Sequence, residues 1–329
     1  MSKHPLYVFY EEPEFDRWIK YDRYPRRIIR RMVRGKRDIG GMELSFLNLL
    51  RGFDKMGVET RRNDFSAVKR NPELISLVFG KQHIIEKFSD KTPIVYGPGG
   101  IPDHPMVVDY WNKKNFKMLI AQSDWLAEMY VRDLKVQIPV EVAPIGIDTD
   151  YWQELNKKGK KKVLIYDKIR WKRDHYEPTL LHPIQEKLKS LGIEYEYIRY
   201  GKYKEEDFHN LLSEVSAMIF LCEHETQGFA YLQTLATNTP IFAWDRGGAW
   251  KDPNYYPDKV VFETVSSVPY WDERCGMKFR DANEFSSNIQ TFMDKCNTNT
   301  FQPRNYVMED LTLEKGARHY YNLVSKYLQ

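Results

Sequence analysis

Short apolar runs alternate with helical patterns along nearly the whole chain, and this alternation limits the fold more than any other feature. Leu6–Tyr10 is predicted as a strand, and apolar residues recur at helical spacing over Glu43–Lys55. The alternation begins again at Val163–Tyr166, after the polar segment Gln153–Lys162, which we interpret as a linker. Repeated strand–helix units favour parallel sheets covered by helices. The sequence therefore predicts an α/β chain with two Rossmann-like, doubly wound parallel sheets.

The predicted strands set where binding residues are expected. In the first half they are Leu6–Tyr10, Val58–Arg62, Leu74–Phe79, Pro93–Tyr96, Lys117–Gln122 and Val140–Pro144. In the second half they are Val163–Tyr166, Glu194–Arg199, Ala217–Leu221 and Pro240–Trp244. In open parallel sheets, ligands bind outside the carboxyl ends of the strands. We therefore expect a cleft between two facing sheets, lined by residues that directly follow strands.

Length and composition are typical of a globular protein. The chain has 329 residues, which suits two domains of about 150 residues each. No run approaches the roughly 18 apolar residues of a membrane span, and no secretory signal pattern is present at the start. Three widely spaced cysteines favour reduced thiols over a disulfide framework or a zinc site. These features together predict a cytoplasmic protein.

The segment Glu225–Gln233 is the strongest candidate for a binding turn. It follows the predicted strand Ala217–Leu221 and opens a predicted helix over Gln227–Thr237. The start of a helix presents free backbone N–H groups and the positive end of the helix dipole, which both favour a phosphate. Gly228 allows a close approach of the backbone. The alternative is an ordinary strand–helix turn that happens to contain a glycine.

Three further segments follow predicted strands and carry candidate site residues. A basic cluster occupies Lys168–Arg173, and its alternative is a solvated loop. Tyr200, Gly201 and Tyr203 could border a nucleotide base, and the alternative is a plain turn. His104 lies after the fourth predicted strand, where a structural loop histidine is the alternative. The histidines show no metal-ligand spacing, so no metal is predicted.

Four segments resemble the retaining glycosyltransferases of family 4. The stretch from Glu225 to Pro240 is similar, without gaps, to the family's motif of two acidic residues eight positions apart followed by Gly-x-Pro, with Gln233 in the second acidic position. Ala143–Trp152 resembles the Pro-Asn-Gly-Val-Asp segment that ends the family's first domain. Ile39-Gly40-Gly41 resembles its first glycine loop, and Lys168–Arg173 its phosphate-binding pair. Together the matches cover most of the chain.

The resemblance implies the GT-B fold, in which two Rossmann-like domains face a cleft. It implies an N-terminal acceptor domain over residues 1–151 and a donor domain over residues 152–311. A final helix over residues 312–329 would cross back to the first domain. It also implies a metal-independent hexosyltransferase without a cofactor, working by front-side displacement.

The resemblance also implies roles for individual residues. Glu225 would bind a hydroxyl of the transferred sugar, and His104 would reach the same sugar. Lys168 and Arg173 would grip the diphosphate, with both residue types swapped relative to the family and Arg170 and Lys172 as rivals. Gln233 would bind the ribose through a neutral amide instead of a carboxylate. The other implied nucleotide-sugar contacts are Gly41, Tyr200, Gly201, Tyr203, Thr226, Gln227, Gly228, Phe229 and Ala230.

The donor and acceptor are less constrained by sequence. The Tyr200–Lys204 loop offers aromatic and polar surface that suits a guanine, so GDP-mannose is the first choice and UDP-glucose the second. The acceptor would be a glycan, a glycoprotein or a lipid, and a homodimer is among the expected partners. The basic residues within 17–37 could face an anionic surface, or could be a solvated helix face.

Three other functions stay open at this stage. One is a GT-B enzyme of different outcome, such as an inverting transferase or a sugar-nucleotide epimerase. Another is a transferase that acts on nucleic acid, whose binding would depend steeply on salt. The third is a non-catalytic sugar-nucleotide-binding protein, which the glutamine at position 233 would allow.

Overall fold

The structure is a computed structural model that describes residues 5–12, 18–19, 22, 25–26, 40–99, 114–157 and 159–328. His104 and most of the basic residues of segment 17–37 lie outside these ranges. Arg26, which lies inside them, forms an ion pair with Asp22 at 3.0 Å.

Two parallel sheets form the framework. The first contains β1 (Leu6–Phe9), β2 (Thr60–Arg62), β3 (Ser76–Gly80), β4 (Ile94–Gly99), β5 (Phe116–Ala121) and β6 (Val140–Val142), in the order β2-β1-β3-β4-β5-β6. The second contains β7 (Val163–Lys168), β8 (Tyr195–Arg199), β9 (Ala217–Cys222), β10 (Ile241–Trp244) and β11 (Gly276–Phe279), in the order β11-β10-β9-β7-β8. Every strand pair is parallel. The predicted α/β class with two parallel sheets is confirmed.

Helices cover both sheets. In the first half they are α1 (Gly41–Lys55), α2 (Phe65–Arg70), a 3₁₀ turn (Gln82–Lys87) and α3 (Asp124–Arg132). In the second half they are α4 (Arg173–Tyr176), a π-helical turn (Glu177–Leu181), α5 (His182–Ser190), α6 (Glu205–Glu214), α7 (Phe229–Ala236), α8 (Ala282–Asn297), α9 (Pro303–Asp310) and α10 (Leu313–Ser325). Among these described helices, none is long and apolar enough to cross a membrane.

The central strands are buried on both faces, as expected for sheets covered by helices. All residues of β3 and β9 are buried, whereas the edge strands β2 and β8 are mostly half-buried or exposed. Apolar side chains on the two faces of each sheet form separate cores. The carboxyl ends of the strands border the space between the two sheets. Because the central strands are buried, these ends have fixed positions.

The last helix packs against the first one. Ala317, Tyr320 and Val324 of α10 belong to the same core as Phe46 and Leu49 of α1. The two helices approach so closely at Gly52 that a Cβ there would lie 2.3 Å from the Leu313 carbonyl oxygen and 2.7 Å from the Ala317 Cβ. A glycine at this position therefore permits the helix–helix contact.

Gly52→Ala is expected to lower the free energy of unfolding by about 1–3 kcal/mol, the usual cost of overpacking, because the methyl group would push α10 away. The matched control is Gly41→Ala at the start of the same helix, where a Cβ meets nothing within 4 Å. Urea denaturation of both variants provides the measurement. Equal midpoints for the two variants would contradict this account of the α1–α10 contact.

Candidate functional site

A cleft of about 600 Å³ lies where the carboxyl ends of the two sheets face each other. One wall is the start of α1, with Gln122 after β5. The other wall is built by the ends of β7 and β8 and by the turn between β9 and α7. The cleft is lined by Gly40, Gly41, Met42, Leu44, Ser45, Gln122, Tyr166, Lys168, Tyr200, Gly201, Tyr203, Lys204, Glu205, Phe208, Glu225, Thr226, Gln227, Gly228, Phe229, Ala230 and Gln233.

The β9–α7 turn carries the glycine that the sequence analysis singled out. Gly228 has φ +88°, and α7 begins at the next residue. A Cβ at Gly228 would lie 2.4 Å from the Tyr231 ring and 3.1 Å from the Glu225 Cγ. The left-handed backbone and the lack of space both require glycine here. The first N–H groups of α7, which have no partner within the helix, consequently lie at the cleft.

Lys168 and Glu225 form an ion pair at the centre of the cleft. Both side chains are largely buried, with 11% and 9% of their surfaces exposed. Burial lowers the pKa of Lys168, but the Glu225 carboxylate together with the nearby Cys222 and Tyr200 outweighs this effect, and the pKa is raised. The ammonium also lies 4.3 Å from the centre of the Tyr200 ring. Lys168 is therefore a protonated, positioned cation, suited to an anionic ligand that could compete for it.

The loop after β7 is held by a buried carboxylate. Glu223 accepts hydrogen bonds from the backbone N–H of Arg170, at 3.0 Å, and of Trp171, at 2.9 Å. Burial raises the pKa of Glu223. The Arg170 guanidinium donates to the His224 carbonyl oxygen at 3.0 Å. Arg170 therefore lies beside Lys168 and Glu225. The Arg170 charge acts to lower the pKa of Lys168, and the Glu225 charge acts to raise the pKa of Arg170.

Arg173 does not join Lys168. Its guanidinium contacts Asp167 at 2.8 Å and Glu177 at 3.1 Å, away from the cleft lining. The cause is local, since Lys172 has a left-handed backbone and starts α4, which turns Arg173 back toward β7. Lys172 also lies outside the lining. Of the four predicted cations, the structure brings Lys168 into the cleft and Arg170 next to it.

Several aromatic side chains line one end of the cleft. The hydroxyl groups of Tyr166 and Tyr203 lie 2.5 Å apart, and the Tyr203 ring packs 5.4 Å from the ring of Phe208. Tyr200 is 50% exposed. Tyr203 thus packs against the following helix while still lining the cleft, and Tyr200 offers the more accessible ring face.

The two glutamines of the motif have different surroundings. The Gln227 side chain bonds across to the first half of the chain, accepting from the Ile145 N–H at 2.9 Å and donating to the Ile145 carbonyl at 2.6 Å. Gln233 is buried and lines the cleft, and among the described residues its side-chain amide has no hydrogen-bond partner. Gln227 is therefore a structural bridge, whereas the Gln233 amide remains available to a ligand.

His224 is a neutral histidine in an aromatic stack. Its ring lies 4.5 Å from Trp250 and 4.9 Å from Trp171. Burial, together with the nearby cations Arg170 and Arg246, lowers its pKa to about 2. A ring nitrogen accepts from the Lys251 N–H at 3.4 Å. Its role is to support the turn that carries Glu225.

Several cleft residues were not predicted from the sequence. Gln122, Glu205 and Phe208 were not singled out, and neither were the α1 residues after Gly41. Glu205 had a usable signal, because it is the first residue of a helix next to the tyrosine loop. Gln122 had none, since its approach depends on how the two sheets face each other. Among the residues that the structure describes, no three His, Cys, Asp or Glu side chains converge as a metal site would need.

No protein-family model matches the sequence, and a search of curated proteins finds no match. Solved structures do match. A UDP-forming α,α-trehalose-phosphate synthase from Burkholderia xenovorans is similar with a TM-score of 0.52 and 9% identity, over 87% of this chain and 86% of that one. The N-terminal domain of Candida albicans trehalose-6-phosphate phosphatase gives a TM-score of 0.52 and 11% identity, over 89% and 78%.

A third similar structure is TarM from S. aureus. Its TM-score is 0.54 at 10% identity, over 79% of this chain and 58% of that one. The chain has the GT-B fold. At such low identities the likeness shows the fold alone, so the resemblance to family 4 and the division into domains at residue 151 stay predictions. GT-B architecture nevertheless accounts for why the candidate residues meet between the two sheets.

Proposed function

We propose that this GT-B protein is a retaining, metal-independent hexosyltransferase that uses a nucleotide diphosphate sugar. The observation that carries the proposal is the meeting of Lys168, Glu225 and the start of α7 in one cleft at the strand ends. A cation and unpaired helix N–H groups together suit a diphosphate, and an adjacent carboxylate suits a sugar hydroxyl.

Charge neutralisation is the main catalytic task in the proposed reaction. As the sugar–phosphate bond breaks, negative charge grows on the leaving diphosphate, and Lys168 with the N–H groups of α7 would stabilise it. We assign Arg170 as the second cation in place of Arg173, because Arg170 lies beside Lys168 whereas Arg173 is paired with Asp167. The leaving oxygen would take the proton of the acceptor hydroxyl, which attacks the anomeric carbon from the same face. Positioning of donor and acceptor supplies the remaining rate acceleration.

For Lys168 to reach the diphosphate, its pair with Glu225 must loosen. Donor binding would replace one anionic partner by another, so the ammonium keeps a counter-charge throughout. Glu225 would then be released to accept a hydrogen bond from a sugar hydroxyl. The Lys168–Glu225 ion pair thus fits a site that exchanges an internal contact for a contact with the donor.

GDP-mannose is our first choice of donor and UDP-glucose the second. Three similar structures point instead to UDP: the O-GlcNAc transferase GtfA and TarM are complexes with it, and the trehalose-phosphate synthase is UDP-forming. Against this, the tyrosine-lined end of the cleft provides a broad aromatic surface that favours the larger guanine. The Gln233 amide would bind the ribose hydroxyls. We propose a glycan, glycoprotein or lipid as acceptor, and a cytoplasmic location.

A non-catalytic sugar-nucleotide-binding protein is the second candidate. It is favoured by Gln233, which provides only a neutral acceptor where the resemblance implies a carboxylate. The two candidates differ in donor turnover, which a binding protein lacks.

The test is turnover of GDP-mannose and UDP-glucose in the presence of excess chelator, followed by proton NMR of the released or transferred sugar. We expect activity to persist without divalent ions and the first-formed product to keep the α configuration. Complete loss on adding chelator would contradict the metal-free mechanism, and a β product would contradict retention. Binding of a donor without turnover, with any of the three acceptor classes present, would support the binding-protein alternative.

A further inference from the structure

Glu205 is the second carboxylate that lines the cleft. It is the first residue of α6 and directly follows the loop that carries Tyr200 and Tyr203. The neighbouring Asp207 caps the helix by accepting from the Lys204 N–H at 3.3 Å. Glu205 has no such structural duty, since no hydrogen bond or ion pair joins its carboxylate to another described residue. Its carboxylate is therefore available to a ligand.

The strand order places Glu205 at the opposite end of the cleft from the α7 turn. The three strands β9, β7 and β8 lie side by side in that order. The α7 turn follows β9, Lys168 and its loop lie at the end of β7, and the Tyr200–Glu205 segment follows β8. Adjacent strands are spaced by about 4.8 Å, so the first and third segments start about 10 Å apart. A nucleotide with its diphosphate at α7 and Lys168 would extend its base toward Glu205.

The surroundings of Glu205 act on its carboxyl in opposite directions. Burial raises the pKa of its carboxyl, and the Arg51 guanidinium opposes this. Asp148 and His209 also face it. Arg51 itself contacts Asp148 at 3.4 Å, so it is shared with another carboxylate.

A carboxylate in this position distinguishes bases by their hydrogen-bonding edges. An ionised carboxylate is only an acceptor and can take two parallel N–H bonds. Guanine presents an imide N–H beside an exocyclic amino group, which matches both oxygens. Uracil presents one N–H between two carbonyl oxygens, which would repel the carboxylate. Among the common bases of sugar nucleotides, guanine is thus the one that fits.

We infer that Glu205 reads the guanine base of the donor and sets its preference over uracil. This inference rests on the proposed function, since it assumes a nucleotide diphosphate in the cleft. It goes further by naming the residue that selects the base.

The experiment compares the affinities of GDP, IDP and UDP by titration calorimetry. IDP lacks the exocyclic amino group, so it removes one of the two expected bonds. Wild-type protein should bind GDP more tightly than IDP and IDP more tightly than UDP. Glu205→Gln should weaken GDP binding by about 10- to 100-fold, as expected for a charge-assisted hydrogen bond. It should tighten UDP binding, because the neutral amide no longer repels the uracil oxygens. Glu206→Gln, one position further along the helix and outside the cleft lining, is the matched control and should change none of the three.

The outcomes separate the inference from the proposed function. A Glu205→Gln protein that unfolds at the same urea concentration as wild type and still binds GDP with wild-type affinity would overturn the role of Glu205. Tighter binding of UDP than GDP by the wild type would also overturn it, while leaving a nucleotide-sugar transferase intact. If the wild type binds none of the three nucleotides, the proposed function fails and the inference fails with it.

Discussion

Replacing Lys168 by alanine is expected to lower the turnover number by about 10²–10³-fold, the effect of removing one preorganised group that stabilises a developing negative charge. Arg170 lies beside it but outside the lining, so among the described basic residues Lys168 is the one placed centrally between Glu225 and Tyr200. The truncation removes the ammonium from the position where the leaving diphosphate gains charge. Steady-state kinetics with saturating donor provides the measurement.

Two companion variants make the Lys168 result interpretable. Lys168→Arg keeps the charge and should recover part of the lost turnover, which a purely structural role for the lysine would not predict. Lys162→Ala removes the lysine that directly precedes the same strand, where it forms an exposed pair with Glu196. That surface pair is worth little, so turnover should stay unchanged. Turnover of Lys168→Ala within threefold of wild type would exclude Lys168 from the phosphate site.

Gly228→Ala is expected to weaken donor binding at least tenfold and to lower the free energy of unfolding by about 1–3 kcal/mol. The new methyl group would lie 2.4 Å from the Tyr231 ring and 3.1 Å from Glu225, so the turn must move. That movement displaces the first N–H groups of α7 from the phosphate. Titration with GDP and urea denaturation measure the two effects separately.

Gly201→Ala is the control for the Gly228 result. Gly201 also has a positive φ, at +75°, but a Cβ there meets nothing within 4 Å. It therefore introduces backbone strain without a collision, and its effect on GDP binding should be the smaller of the two. Equal losses of affinity would show that backbone strain alone, and not the displaced turn, explains the result.

The strands and helices were largely predictable from sequence because their apolar patterns are strong. Every strand predicted in the two halves is present, with ends shifted by a few residues. The edge strand Gly276–Phe279 and the helix Pro303–Asp310 were missed. The strand is short and begins with glycine, and the helix has only two buried residues. Neither segment therefore shows a clear periodic pattern of apolar residues.

The site was predictable where one segment supplies several of its parts. The β9–α7 turn brings Glu225, Gly228 and Gln233 to the cleft because they share one turn and helix. The sequence spacing wrongly predicted that Arg173 joins Lys168 in the cleft. Spacing cannot show that the left-handed backbone of Lys172 turns the next side chain toward Asp167. Glu205 and Gln122 come from separate loops, and only the packing of the two sheets brings them to the same cleft.

Calorimetric titration of the wild-type protein and of Lys168→Ala with GDP-mannose tests the central claim most directly. The account predicts saturable binding of one donor molecule per chain to the wild type, and binding at least tenfold weaker to the variant. Equal affinities of the two proteins, or no heat of binding with either GDP-mannose or UDP-glucose, would contradict the claim that this cleft holds a nucleotide diphosphate sugar.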